Sequence, residues 1–114
     1  MTIRSEQHKA LAQDALRRAN DLLAEYARRR FPSLLENTAP ETLLKIVQEV
    51  RTRAGTNGFE REDQIATYLD LTLMYGSDFA ESDWAKPILA NASFVTDDKI
   101  SALMGQVEAN GVKL

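Results

Sequence analysis

Apolar residues recur along this chain at steps of three and four, the spacing that lines them up on one face of a helix. In the first segment Leu11, Ala15, Ala19, Leu22, Leu23 and Tyr26 form one such stripe. Ser5 is suited to cap this helix, with Glu6 in its first turn. Arg28, Arg29 and Arg30 sit at its far end, where positive charge complements the helix dipole. Phe31-Pro32 stops it, because the residue before a proline is pushed out of helical geometry. The predicted helix is about 25 residues long, more than the three or four turns usual in a small domain.

The second helix opens at Thr38-Ala39-Pro40-Glu41, which reads as a capping box: a hydroxyl accepts from the third amide while the glutamate reaches back. Leu43, Leu44, Val47, Val50 and Ala54 make its apolar face. Gly58 is the preferred stop over Gly55, since glycine tolerates the left-handed geometry of a helix C-terminus and Phe59 behind it can fold onto Ala54. Glu60-Arg61-Glu62-Asp63 then opens a third helix that ends at Gly76. Between them Ile65, Ala66, Tyr68, Leu69, Leu71, Thr72, Leu73, Met74 and Tyr75 leave Asp70 as the single charge of the second half. A helix that is apolar all round is a central one. The stretch 68–75 alternates imperfectly and admits a strand reading, but its caps and length favour helix. Ser82 or Asp83 starts a short fourth helix running to about Ala90, with Pro87 near its first turn. Thr96 caps a fifth, with Asp97 and Asp98 at its positive end, Ile100, Leu103, Met104 and Val107 inside, and Asn110-Gly111 as its stop. The expected architecture is all-α, a bundle of about five helices with a long N-terminal helix, forming one domain over residues 1–114.

Composition narrows the chemistry. The 114 residues include no cysteine and a single histidine, His8. Disulfides, thiolate catalysis and cysteine-based zinc sites are thereby excluded. No apolar run approaches the roughly 18 residues of a membrane span, and Met1–Ser5 lacks the apolar stretch of a secretory signal. The expectation is a soluble, cytoplasmic domain without a cofactor or metal. Charge is uneven: residues 1–54 carry ten Lys/Arg against seven Asp/Glu, and residues 55–114 carry four against ten. Such a chain either meets an oppositely charged surface or uses the attraction within itself.

Four groups of residues invite a functional reading. Arg17, Arg18, Arg28, Arg29 and Arg30 could hold phosphates, yet the chain is net acidic at −3 and interleaves no aromatics for base stacking, so nucleic acid is not expected. Asp78, Glu81 and Asp83 offer oxygen ligands in a loop, but their spacing matches no calcium loop. Asp70, an aspartate in an apolar helix, is the one candidate for acid–base work, with Arg51 or Arg53 as structural partners. The loop Tyr75-Gly76-Ser77-Asp78-Phe79…Trp84 is the most distinctive segment. Its tryptophan fits either the core or a protein-binding hot spot, where such rings are enriched. The long first helix, if its stripe outruns the core, leaves an apolar ridge for a partner helix or a second copy.

The stretch Gly58-Phe59-Glu60-Arg61-Glu62-Asp63…Tyr68-Leu69-Asp70-Leu71…Met74-Tyr75-Gly76-Ser77-Asp78-Phe79…Trp84-Ala85…Ile88-Leu89 resembles small helical proteins encoded in bacteria beside type VI secretion spike and effector genes. The resemblance covers about residues 58–90, and Phe31-Pro32 before a variable loop also fits it. Glu60 stands where that pattern has a hydroxyl cap, and Ala80 where it has an acid. The resemblance implies a non-enzymatic role in interbacterial antagonism through binding a protein encoded nearby: an effector, a toxin or a spike component. An effector chaperone or adaptor is the first reading and an immunity protein that neutralises a toxin the second. A small enzyme using Asp70 is a third. The partner-binding residues this reading nominates are Arg28, Arg29, Arg30, Tyr75, Asp78, Phe79 and Trp84.

Overall fold

Five α-helices and one 3-10 turn make up the computed structural model, which describes residues 2–91 and 93–109, with side chains for 12–91 and 93–108. The helices are α1 (Thr2–Arg30), α2 (Pro40–Thr56), α3 (Glu62–Tyr75), α4 (Lys86–Leu89) and α5 (Thr96–Ala109), with the 3-10 turn at Phe79–Glu81. No strand occurs among the described residues, and the protein is all-α. The chain divides into two compact units, residues 1–49 and 50–114, and the division falls within α2.

In the first unit α1 ends at Arg30 as predicted, and the amide of Phe31 still reaches back to the carbonyl of Ala27. Among the described side chains of α1 the buried ones are Asn20, Leu23 and Ala27, followed by Phe31 and Leu35 in the connection. This departs from the predicted stripe. Of its members with described side chains, Leu23 is buried, Ala19 and Tyr26 are half-buried, and Ala15 and Leu22 are exposed. The core takes the face carrying Asn20, a polar residue between apolar ones, a choice periodicity alone does not register. Leu11, His8 and the Ser5 cap fall outside the described side chains. The connection to α2 is closed by turns from Leu35 to Phe31 and from Thr38 to Leu35. The first amide bond of α2 runs from Leu43 to Ala39, so the helix begins one residue later than a Thr38 cap places it. Leu43 and Val47 point into the core.

The second unit is organised around α3. Ile65, Tyr68, Leu69, Leu71 and Thr72 are all buried, so this helix is covered on most sides, as its composition predicts. The end of α2 follows expectation in detail. The amide of Phe59 bonds the carbonyl of Ala54 at 2.8 Å, and that of Gly58 bonds Gly55 at 3.0 Å, the bond pair of a Schellman ending. Gly58 has φ +85°, and Phe59 and Ala54 are both fully buried. Gly76 likewise ends α3 at φ +96°, its amide donating to Thr72.

Two further starts differ from prediction. Helix α4 begins at Lys86, three or four residues after the expected caps. The Ser82 amide closes the 3-10 turn on the carbonyl of Phe79, to which its hydroxyl also donates, and α4 takes Ala85 as its cap position. Pro87 sits in the first turn, where its missing amide hydrogen costs nothing. In α5 the first bond runs from Lys99 to Val95, so Val95 holds the cap position. The Thr96 hydroxyl donates to the Gly58 carbonyl at 3.0 Å, tying α5 to the end of α2.

Candidate functional site

The 75–84 loop is built on a run of rings. Phe59 meets Tyr68 edge to face at 5.7 Å between centroids, Tyr68 meets Phe79 at 4.8 Å, Phe79 stacks on Trp84 at 6.2 Å, and Trp84 meets Tyr75 edge to face at 5.4 Å. Such pairs contribute about 0.5–1.5 kcal/mol each beyond the area they bury. The run passes from core to surface: Phe59, Tyr68 and Phe79 are buried, whereas Trp84 and Tyr75 are half-buried. Phe79 therefore anchors the loop from within the core. Trp84 and Tyr75 keep part of their rings on the surface, braced by the rings behind them. Asp78 is exposed and precedes the 3-10 turn, its carbonyl accepting from Glu81. Arg53 fixes the loop from α2, its Nη1 donating to the Ser77 carbonyl at 2.6 Å.

Beside the rings lies a polar cleft of about 310 Å³ that sequence reasoning missed, lined chiefly by Arg53, Asn57, Tyr68, Ser77, Asp78 and Glu81. Tyr68 links it to the aromatic run. Burial pushes the Tyr68 phenol up from its ordinary value, while the Arg53 charge and a hydrogen bond with Asn57 act against that rise. Arg53 and Asn57 lie 20 to 28 positions before Ser77, Asp78 and Glu81, so no local motif announces it.

The arginine run is divided in function. Arg28 is half-buried and spans the α1–α2 connection, with Nη2 donating to the Thr38 carbonyl at 2.8 Å and Nη1 to that of Leu35 at 3.2 Å. Its first task is structural. Arg29 is exposed, and Arg30 is exposed with its guanidinium 5.7 Å from the centre of the Phe31 ring, a cation–π distance. The seven nominated residues are thus split between the two units, Arg28–Arg30 in the first and Tyr75, Asp78, Phe79 and Trp84 in the second.

At the start of α3 the acidic run is largely held in ion pairs. Arg51 grips Glu62 with both guanidinium arms, and this bond keeps the Glu62 carboxyl below its ordinary value. Arg61 bonds Asp63 and also reaches Asp97 of α5, so its own titration is displaced upward by these carboxylates. Gln64, buried and unremarked in the sequence, accepts from the amides of Glu60 and Arg61 and donates to Asp97. The Gln64 hydrogen bond, then that of Arg61, holds the Asp97 carboxyl below its usual range. Asp70 is half-buried and already engaged in an interaction.

Among the described residues no three His, Cys, Asp or Glu side chains lie close enough to hold a metal ion. No helix among them is long and apolar enough to cross a membrane. No protein-family model, curated protein or solved structure matches the chain.

Proposed function

We propose that this chain is a non-enzymatic protein-binding accessory, a cytoplasmic chaperone or adaptor for a secreted effector in type VI secretion-type antagonism. The observation that carries the binding reading is the half-buried Tyr75–Trp84 pair braced on buried Phe79, with Asp78 and Glu81 exposed beside it. Rigid, partly exposed aromatic rings with a polar rim are what a binding hot spot requires. The secretion setting rests on the resemblance over residues 58–90.

The test is co-expression with the product of each adjacent gene, followed by size-exclusion chromatography with light scattering. The expected result is a stable complex that Trp84→Ala weakens by tenfold or more, a typical hot-spot loss of about 1.4 kcal/mol or greater. Arg29→Glu with Arg30→Glu is the companion variant, since Arg28 holds the α1–α2 connection and its reversal would confuse folding with binding. Binding unchanged in both variants, or no complex with any neighbour, overturns the reading. An immunity protein is the second reading, favoured by the exposure of Glu60, Glu62, Asp63, Asp78, Glu81 and Asp83, an acidic set suited to covering a basic toxin cleft. Protection of sensitive cells distinguishes it from a chaperone, whose loss lowers effector secretion instead.

A further inference from the structure

The apolar stripe of α1 that the core does not use has a self-complementary order. Ala12, Ala15, Ala19, Leu22 and Tyr26 follow one another at steps of three, four, three and four, the seven-residue repeat of a helix-pairing seam. Ala12, Ala15 and Leu22 are exposed, Leu22 to 62%, while Ala19 and Tyr26 are half-buried. On the core side of the seam lies buried Leu23, and on the other side lie Arg18 and Glu25, both exposed. Arg18 and Glu25 occupy the same flanking position in successive repeats.

Two antiparallel copies of this seam, related by a two-fold axis between residues 20 and 21, fit each other in both volume and charge. Each Ala19 faces Leu22 of the second copy and each Ala15 faces Tyr26, so small residues meet large ones at the centre of the seam, while Ala12 lies opposite Arg29 at its ends. Arg18 of each copy lies beside Glu25 of the other, giving two ion pairs. A parallel arrangement instead sets alanine on alanine and leucine on leucine and pairs none of these charges. We propose that two copies of this chain associate through α1, antiparallel, with Ala19 against Leu22 and Arg18 against Glu25. A homodimer is thereby given a surface, a direction and a register, independently of any binding at the 75–84 loop.

The seam is about 22 Å long at 1.5 Å per residue. It covers on the order of a few hundred Å² per copy, less than the roughly 800 Å² per partner of a stable complex. The dimer is accordingly weak, with a dissociation constant on the order of 0.1 mM. Sedimentation equilibrium of the full chain from about 10 µM to about 1 mM tests it. Arg18→Glu and Glu25→Arg alone are each expected to weaken association by about tenfold, and the double variant to restore it, because reversing both partners re-forms the pair. A second readout uses the absence of native cysteine. An equimolar mixture of Ala19→Cys and Leu22→Cys chains should oxidise mainly to the mixed disulfide dimer, ahead of either variant paired with itself. A chain that stays monomeric at about 1 mM overturns the proposal, as does a dimer indifferent to the charge swaps or a mixture without that preference.

Discussion

Helices α1 and α3 are both rich in apolar residues, and they use them differently. Tyr68, Leu69 and Leu71 of α3 are buried almost completely, and Phe59 and Phe79 close on Tyr68 from either side. In α1, Leu23 is buried while its neighbour Leu22 is 62% exposed, and the alanines between residues 12 and 19 remain at or near the surface. The difference teaches that an apolar residue is worth what covers it. Helix α3 is an internal post whose side chains stabilise the fold, whereas Ala12, Ala15 and Leu22 of α1 stay exposed.

Removing the centre of the α3 core should have the largest effect on stability. Tyr68→Ala should lower the unfolding free energy by about 3–5 kcal/mol in a urea titration, the range for deleting a buried ring. A smaller pair of changes tests the two faces of α1 directly. Leu23→Ala should cost about 2–3 kcal/mol and Leu22→Ala less than about 0.5, measured in dilute solution where any self-association is absent. Equal losses at the two positions would mean that the helix is rotated from the orientation described. Gly58→Ala should cost about 1–2 kcal/mol, because φ +85° is unfavourable for a residue with a side chain. The added methyl meets Thr96 Oγ1 at 3.4 Å, van der Waals contact without overlap, so the cost is conformational rather than steric. The smallest effect concerns acid. Glu62, Asp63 and Asp97 are held below their ordinary values, so their contribution is present above about pH 4.5 for the glutamate and about 3.8 for the aspartates. It is lost as the pH falls through the lowered values. Arg51→Met removes the hydrogen bond that depresses Glu62 and should flatten that part of the acid titration, a modest change because the Glu62 carboxylate is exposed to solvent.

Local chemistry was legible wherever a few adjacent residues decide the outcome. Gly58 with Phe59 and Ala54, Gly76, and Phe31-Pro32 all mark ends that the structure keeps. Starts were harder. Thr38, Ser82 and Thr96 carry the hydroxyls that commonly cap helices, but the Ser82 hydroxyl turns back to Phe79 and that of Thr96 crosses to Gly58. Each of these two hydroxyls is oriented by a carbonyl outside the first turn of the helix it is expected to cap. The aromatic loop was visible as a segment, but its ordering from buried Phe79 to half-buried Trp84 depends on Tyr68 and Phe59, which approach from other elements. The polar cleft and the role of Gln64 were invisible for the same reason: each exists through groups brought together over long stretches of chain.

Those long-range ties also set an order of events. The bonds from Gly58, Arg61 and Gln64 to Thr96 and Asp97 connect positions 33 to 38 residues apart. Closing so long a segment costs chain entropy, and the cost falls once α3 and the turns after it have shortened the path. Helix α5 is fastened by this polar seam together with the fully buried Leu103, and the long closure predicts that it docks after α3 in its unit. In the native state the same seam is where this unit first comes apart: amide protons of α5 should exchange with solvent sooner than those of α3, as one cooperative segment.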